Sequence, residues 1–186
     1  MLAVVAFLLG QRFARNDGAD AATAAPGGAP FAVGGGAGGG GAPDISQMSP
    51  EERATRLFDR VMRYGEEGKL DSARIFAPMA MQAYEMMGPA DAHSRYDIGM
   101  IAVVASDVTI ATAQADTILR GNPEHLLGLI LAMKAADLRK DAVARKKFEK
   151  RFVAASGPER AKKLKEYTDH ASDIDAALKR SAGPRQ

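Results

Sequence analysis

"YDIGMIAVVASDVTIATAQADTILRGNP" occupies residues 96–123. Whether it is a membrane span, a catalytic strand–turn–helix or one unit of a helical repeat decides the fold. From Ala90 to about Ala105, Tyr96, Gly99, Met100, Val103 and Val104 recur at helical spacing, with Arg95 and Asp97 on the polar side. Ser106 and Asp107 break this helix and cap another running to Leu119. Gly121, Asn122 and Pro123 then read as a stop, an N-cap and a first-turn proline. Asp97, Asp107 and Asp116 exclude a membrane span in this register. The stretch is a pair of helices joined by a tight turn.

The same reading extends both ways. Ser49-Pro50-Glu51-Glu52 carries the cap, first-turn proline and acidic return contact of a helix start, and Ala54, Leu57, Phe58 and Val61 mark one apolar face. A second helix begins at Leu70 or Asp71, with Leu70, Ala73, Ala77, Ala80, Tyr84 and Met87 in a 3,4,3,4,3 spacing, and stops at Gly88-Pro89. Three more helices are expected over about 123–138, 141–155 and 158–180. Ala144, Phe148 and Phe152 form the stripe of one, and Ala161, Leu164, Tyr167, Ala171, Ile174 and Leu178 that of the last. The total is seven helices and no strand signal, so the expected class is all-α.

Before this domain (49–180) lies a different composition. Residues 18–48 are dominated by Gly, Ala and Pro, including "GGGAGGGGAP" at 34–43, and 14–48 reads as a flexible linker. Residues 1–13 are apolar, with Leu2, Val4, Val5, Phe7, Leu8 and Leu9 as candidate anchor positions. The run falls short of the roughly 20 residues of a spanning helix and lacks the basic start of a secretory signal. Three readings stay open: the trailing half of a longer anchor, a short uncleaved anchor, or an interfacial segment. Arg12 and Arg15 after the run would favour a cytoplasmic C-terminal side if it spans from Met1. An apolar start on a thirty-residue tether implies a membrane-associated protein of a bacterial-type envelope, with 181–186 as a tail.

Helix pairs call for a search for repeats. "EEGKLDSARIFAPMA" (66–80), "VASDVTIATAQADTI" (104–118) and "LRKDAVARKKFEKRF" (138–152) align, with Ala73, Ala111 and Ala144 after each turn, 38 and 33 residues apart. These bracket the 34-residue period of tetratricopeptide repeats, and the chain resembles that family over about residues 51–155. Tyr96 and Gly99 resemble the aromatic-x-x-Gly start of a first helix, Ala111 the small residue at the helix crossing, and Pro123 the closing proline. Ala144 and Phe148 resemble the Ala-x-x-x-Phe pair of a second helix; Gly68, Leu70 and Ala73 match the first turn and crossing. The chain departs from the pattern in having no tryptophan, Val61 where glycine is usual, and Ala115 where an aromatic is usual. The resemblance implies an α-solenoid of about three helix pairs with 158–180 as its capping helix.

No catalytic constellation emerges, and neither enzyme activity nor a cofactor is expected. The histidines His93, His125 and His170 form no i,i+4 pair on one helix, and Glu124-His125 reads as first-turn capping. The serines lack a nucleophile-elbow context, and the glycine run lacks the ending of a phosphate loop. The absence of cysteine excludes disulfides, thiol chemistry and cysteine zinc sites. Asp169, Asp173 and Asp175 read as a solvated face, and Met79, Met81, Met86, Met87 and Met100 as gap-filling core.

The expected function is a non-enzymatic protein–protein interaction module, membrane-tethered, that scaffolds or assists assembly of a membrane complex. The resemblance implies a concave groove lined by helices 50–65, 92–104 and 124–138. Arg60, Arg63, Arg95 and Lys134 would supply its charge, and Tyr96 and Met100 its apolar contacts, suiting an acidic segment or a C-terminal carboxylate. Family members of similar layout serve as assembly factors, translocon partners and accessory subunits. An alternative uses charge alone. Net charge is +2, but residues 134–166 hold twelve Lys/Arg against five Asp/Glu, a basic face for nucleic acid or anionic lipid. A third reading is a spacer or dimerisation element.

Overall fold

The computed structural model describes residues 48–183, which belong to one compact unit. The expected anchor at Leu2–Leu9 and the linker lie outside the described residues. Among these residues there are eight helices and no strand: α1 (Pro50–Glu66), α2 (Leu70–Glu85), α3 (Ala92–Ala105), α4 (Val108–Gly121), α5 (Leu126–Leu138), α6 (Ala142–Ala161), α7 (Lys165–Asp169) and α8 (Ala171–Ser181). None is long and apolar enough to cross a membrane. The fold is all-α.

Local chemistry accounts for the starts. Ser49 Oγ accepts from the Glu52 amide at 3.2 Å while Glu52 returns a carboxylate to the Ser49 amide at 2.9 Å, a reciprocal cap whose loss costs about 1 kcal/mol. Asp91, Asp107 and Asp141 cap α3, α4 and α6 with single carboxylate–amide bonds.

Consecutive helices pack as α1 on α2, α3 on α4 and α5 on α6; α1, α3 and α5 also touch in succession. The turn inside each pair is the same structure three times. Gly68, Ser106 and Lys140 each adopt a left-handed conformation, with φ of 69°, 66° and 57°. The next amide reaches back five residues, Lys69 to the Tyr64 carbonyl, Asp107 to Ala102 and Asp141 to Ala136, at 2.8, 2.8 and 2.9 Å. Each second helix then opens with Lys69, Asp107 or Asp141 accepting its first backbone bond. The sequence alignment on Ala144 is therefore one residue out of step: the position matching Ala73 and Ala111 is Arg145.

Four sequence boundaries need correction. Asn122 closes α4 and does not start α5; a turn intervenes, and α5 begins at Leu126, whose amide donates to the Tyr167 hydroxyl at 3.1 Å. α6 continues through Gly157 and Pro158 to Ala161. Its break comes at left-handed Lys163 instead. The expected helix over 158–180 is thus divided into the end of α6, α7 and α8, with His170 at the joint.

Two main apolar clusters share α3. Ala54, Val61, Ala73, Ala77, Ala80, Tyr84, Ile98 and Ile101 fill the first. Tyr96, Leu126, Leu127, Leu129, Ile130, Phe152, Tyr167 and Ile174 belong to the second. Ala102, Ala111 and Ala135 form a smaller group of their own. Helix α8 packs on α5 and α6, so the last helix folds back over a helix that the repeat reading leaves facing a groove.

Candidate functional site

The six residues expected to meet a partner do not converge. The Arg60 guanidinium lies 4.8 Å from the Phe76 ring of α2, and that of Arg63 lies 5.9 Å from Tyr64. Arg95 donates to Gln114 Oε1 of α4 at 3.1 Å. Lys134 lines a cleft of about 270 Å³ with Arg145 of α6 and Arg180 of α8, where burial and Arg180 lower its pKa. Met100 is half-buried against the second core. Tyr96 is 0% exposed, which corrects its expected role as a surface contact. Its ring belongs to the core because α8 covers it, and its hydroxyl donates to Asp173 Oδ2 at 3.0 Å.

What remains open is a cleft of about 390 Å³ among α2, α3 and α4. Met81, Ala90, Ile98 and Ile110 give it an apolar lining, and Arg95, Glu85 and Gln114 its polar groups. The basic helices contribute less free charge than the sequence count implies. Arg145 pairs with Asp137 and Glu149, Arg160 with Asp175, Lys162 with Glu159 and Lys165 with Asp169. Lys146, Lys147 and Lys150 stay exposed on α6.

Two buried polar clusters were not anticipated. In the first, Glu159 of α6 is 1% exposed. Its Oε2 accepts from Tyr167 Oη at 2.8 Å and Asn122 Nδ2 at 3.1 Å, and Lys162 pairs with Oε1. Burial pushes the Glu159 carboxyl up, but these donors outweigh it and hold it below its ordinary value. His125 packs edge-on to Tyr167 with Nε2 3.4 Å from Glu166. Its pKa is lowered, chiefly by burial. This network ties α4, α5, α6 and α7 together, a structural role in place of simple first-turn capping.

The second cluster joins α3 to α8. Asp97 is 5% exposed, so the expectation that it lies on a polar outer face is corrected. His93, one turn earlier, places Nε2 3.3 Å from Asp97 Oδ2 and Nδ1 3.3 Å from Asp169. His170 places Nε2 3.3 Å from Asp97 Oδ1 and Nδ1 3.5 Å from Asp173. Tyr84 of α2 donates to Asp97 Oδ2 at 2.9 Å. Burial alone would lower the His170 pKa, but the Asp173 and Asp97 carboxylates push it up to about 9. Burial and Asp97 raise the Tyr84 pKa, and burial and Asp173 that of Tyr96. Asp173 and Asp169 thus reach this cluster from the solvated side of the last two helices.

Comparison with protein-family models, with curated proteins and with solved structures found no match. The residues themselves must carry the reading. One signal for the second cluster was in the sequence: His93 and Asp97 stand at i,i+4 on one helix. His170, 73 positions after Asp97, joins only through the fold.

Proposed function

We propose that the domain is a tetratricopeptide-like, non-enzymatic interaction module that holds an acidic segment of a partner protein, tethered at a membrane by the apolar N-terminus to assist a membrane complex. The observation that carries this reading is the threefold recurrence of one backbone turn, with successive left-handed residues 38 and 34 positions apart. That recurrence is what stacked helix pairs require, and stacked pairs leave concave seams for partner segments.

The binding surface differs from the one read from the sequence. Because α8 covers α3 and α5, the cleft among α2, α3 and α4 takes the place of a groove spanning all three first helices. Its apolar floor suits one hydrophobic side chain, with Met81 able to adapt its shape. Arg95 at 3.1 Å from Gln114 is positioned to meet a carboxylate on the same segment. If the Gly-rich sequence behaves as a random coil, about 30 residues would span roughly 30 Å, enough to hold the cleft at high local concentration near a membrane-bound partner.

Photo-crosslinking in native membranes tests this, with a benzophenone residue at Arg95, Ile110 or Lys150 of the full chain. The reading expects positions 95 and 110 to capture one and the same membrane-complex subunit, with Lys150 silent and Arg95→Glu abolishing capture from position 110. Capture only from Lys150, of nucleic-acid-bound proteins and lost at high salt, overturns it in favour of the basic-face alternative.

A further inference from the structure

We propose that His93, Asp97 and His170 form a binding site for a divalent first-row transition-metal ion, with zinc as the best match to the donor set, and that the ion clamps α8 to α3. One donor atom from each residue lies within 4.8 Å of the others. Two imidazoles and a carboxylate are the borderline ligands that Zn²⁺ and its neighbours take, whereas Ca²⁺ and Mg²⁺ demand oxygen. The separations fit. Metal–ligand bonds near 2.0–2.1 Å put two donors of a tetrahedral ion about 3.3 Å apart. His170 Nε2 stands 3.3 Å from Asp97 Oδ1, and His93 Nε2 stands 3.3 Å from the other oxygen of the same carboxylate.

An independent observation points to the same place. Asp97 Oδ1 and His170 Nε2 are fully buried and stand 3.3 Å apart as an ion pair whose geometry falls short of a hydrogen bond. Buried polar atoms almost always make well-formed hydrogen bonds. A cation between them satisfies both. The surrounding groups are arranged as outer partners of a metal site. Asp169 and Asp173 face the Nδ1 atoms of His93 and His170. With an ion bound in place of the Nε2 protons, each would accept from Nδ1–H and keep Nε2 turned toward Asp97. Tyr84 occupies Asp97 Oδ2, which leaves Oδ1 as the open donor. On the outer side the His93 side chain is 33% exposed, an entry path with room for water to complete the coordination. Three protein ligands with an open position would be complete only when α8 is docked, since His170 is the residue that begins it.

The test uses the tag-free full-length chain, stripped with a chelator and titrated with Zn²⁺ against a chromophoric competitor, with Co²⁺ as a spectroscopic stand-in. The proposal expects one ion per chain, a visible Co²⁺ spectrum, and slower amide exchange across 165–181 in the loaded protein. His93→Ala, on the partly exposed ligand, should weaken binding at least about tenfold and abolish the Co²⁺ spectrum. Asp169→Asn should weaken it about tenfold while leaving the spectrum in place. Circular dichroism of each stripped variant separates lost binding from lost folding. Should His170→Gln or Asp97→Asn fail to fold, the wild type and His93→Ala decide the matter alone. A folded wild type with no stoichiometric binding, or equal affinity in His93→Ala, overturns the proposal.

Discussion

Gly99 shows how far one residue constrains the assembly. A Cβ built there would lie 2.2 Å from Leu131 Cδ2, so α3 and α5 approach at a distance only glycine permits. Gly99→Ala should cost about 1–3 kcal/mol through forced repacking, measurable as a lower denaturation midpoint; an unchanged midpoint would show that Leu131 rotates away without penalty. The helix pressing on this glycine is α5 and not α4, its own pair partner. Periodicity identifies a face; it does not say which neighbour meets it. His125 gives a pH prediction of definite sign. Its folded pKa lies below the ordinary value of 6.5 because the ring is buried. Below that value the unfolded chain binds more protons than the folded one, so this group's contribution to stability falls as pH drops and is unaffected above. His125→Asn should flatten the decline of thermal midpoint on the acid side; an unaltered slope would assign the acid sensitivity elsewhere.

At the scale of the element, the three left-handed turns differ in one respect. Gly68 occupies its conformation without penalty, whereas Ser106 and Lys140 carry a Cβ into it. Ser106→Gly and Lys140→Gly should each stabilise by about 0.5–1 kcal/mol, raising the melting temperature by about 2–5 °C. Calorimetry that found both variants destabilised would mean the side chains make compensating contacts. These turns also explain which parts of the fold were legible. Helices α1, α3 and α4 carry caps that local chemistry announces, such as Ser49-Glu52 and Ser106-Asp107. The end of α6 does not follow such rules. Pro158 sits inside the helix and Lys163 breaks it, because the buried Glu159 network holds the backbone helical past the proline. That network is made of Asn122, Tyr167 and Lys162, residues brought together by tertiary structure. For the same reason the His93–Asp97–His170 cluster was only half visible: the i,i+4 pair is local and the third member is not.

Across the whole molecule the two core clusters are unequal. The one under α1 and α2 is rich in alanine, with Ala54, Ala73, Ala77, Ala80 and Ala83, whereas that around α5 contains Leu126, Leu127, Leu129, Ile130, Leu131 and Phe152. Larger side chains bury more apolar area, at roughly 25 cal/mol per Å², and units of a stacked array open according to their own and their neighbours' contacts. Native-state hydrogen exchange should find α1 and α2 opening at a lower free energy than α5; uniform protection would mean the array unfolds as one block. The closure of α8 over α3 also has a consequence in time. Tyr96 meets Asp173, 77 positions later in the chain. At a synthesis rate of 5–20 residues per second, the ribosome makes α3 about 4–15 s before the helix that covers it. During that interval the Asp97 carboxylate stands open to water, and the interior of the nascent chain is finished only when the last helix is released to close over it.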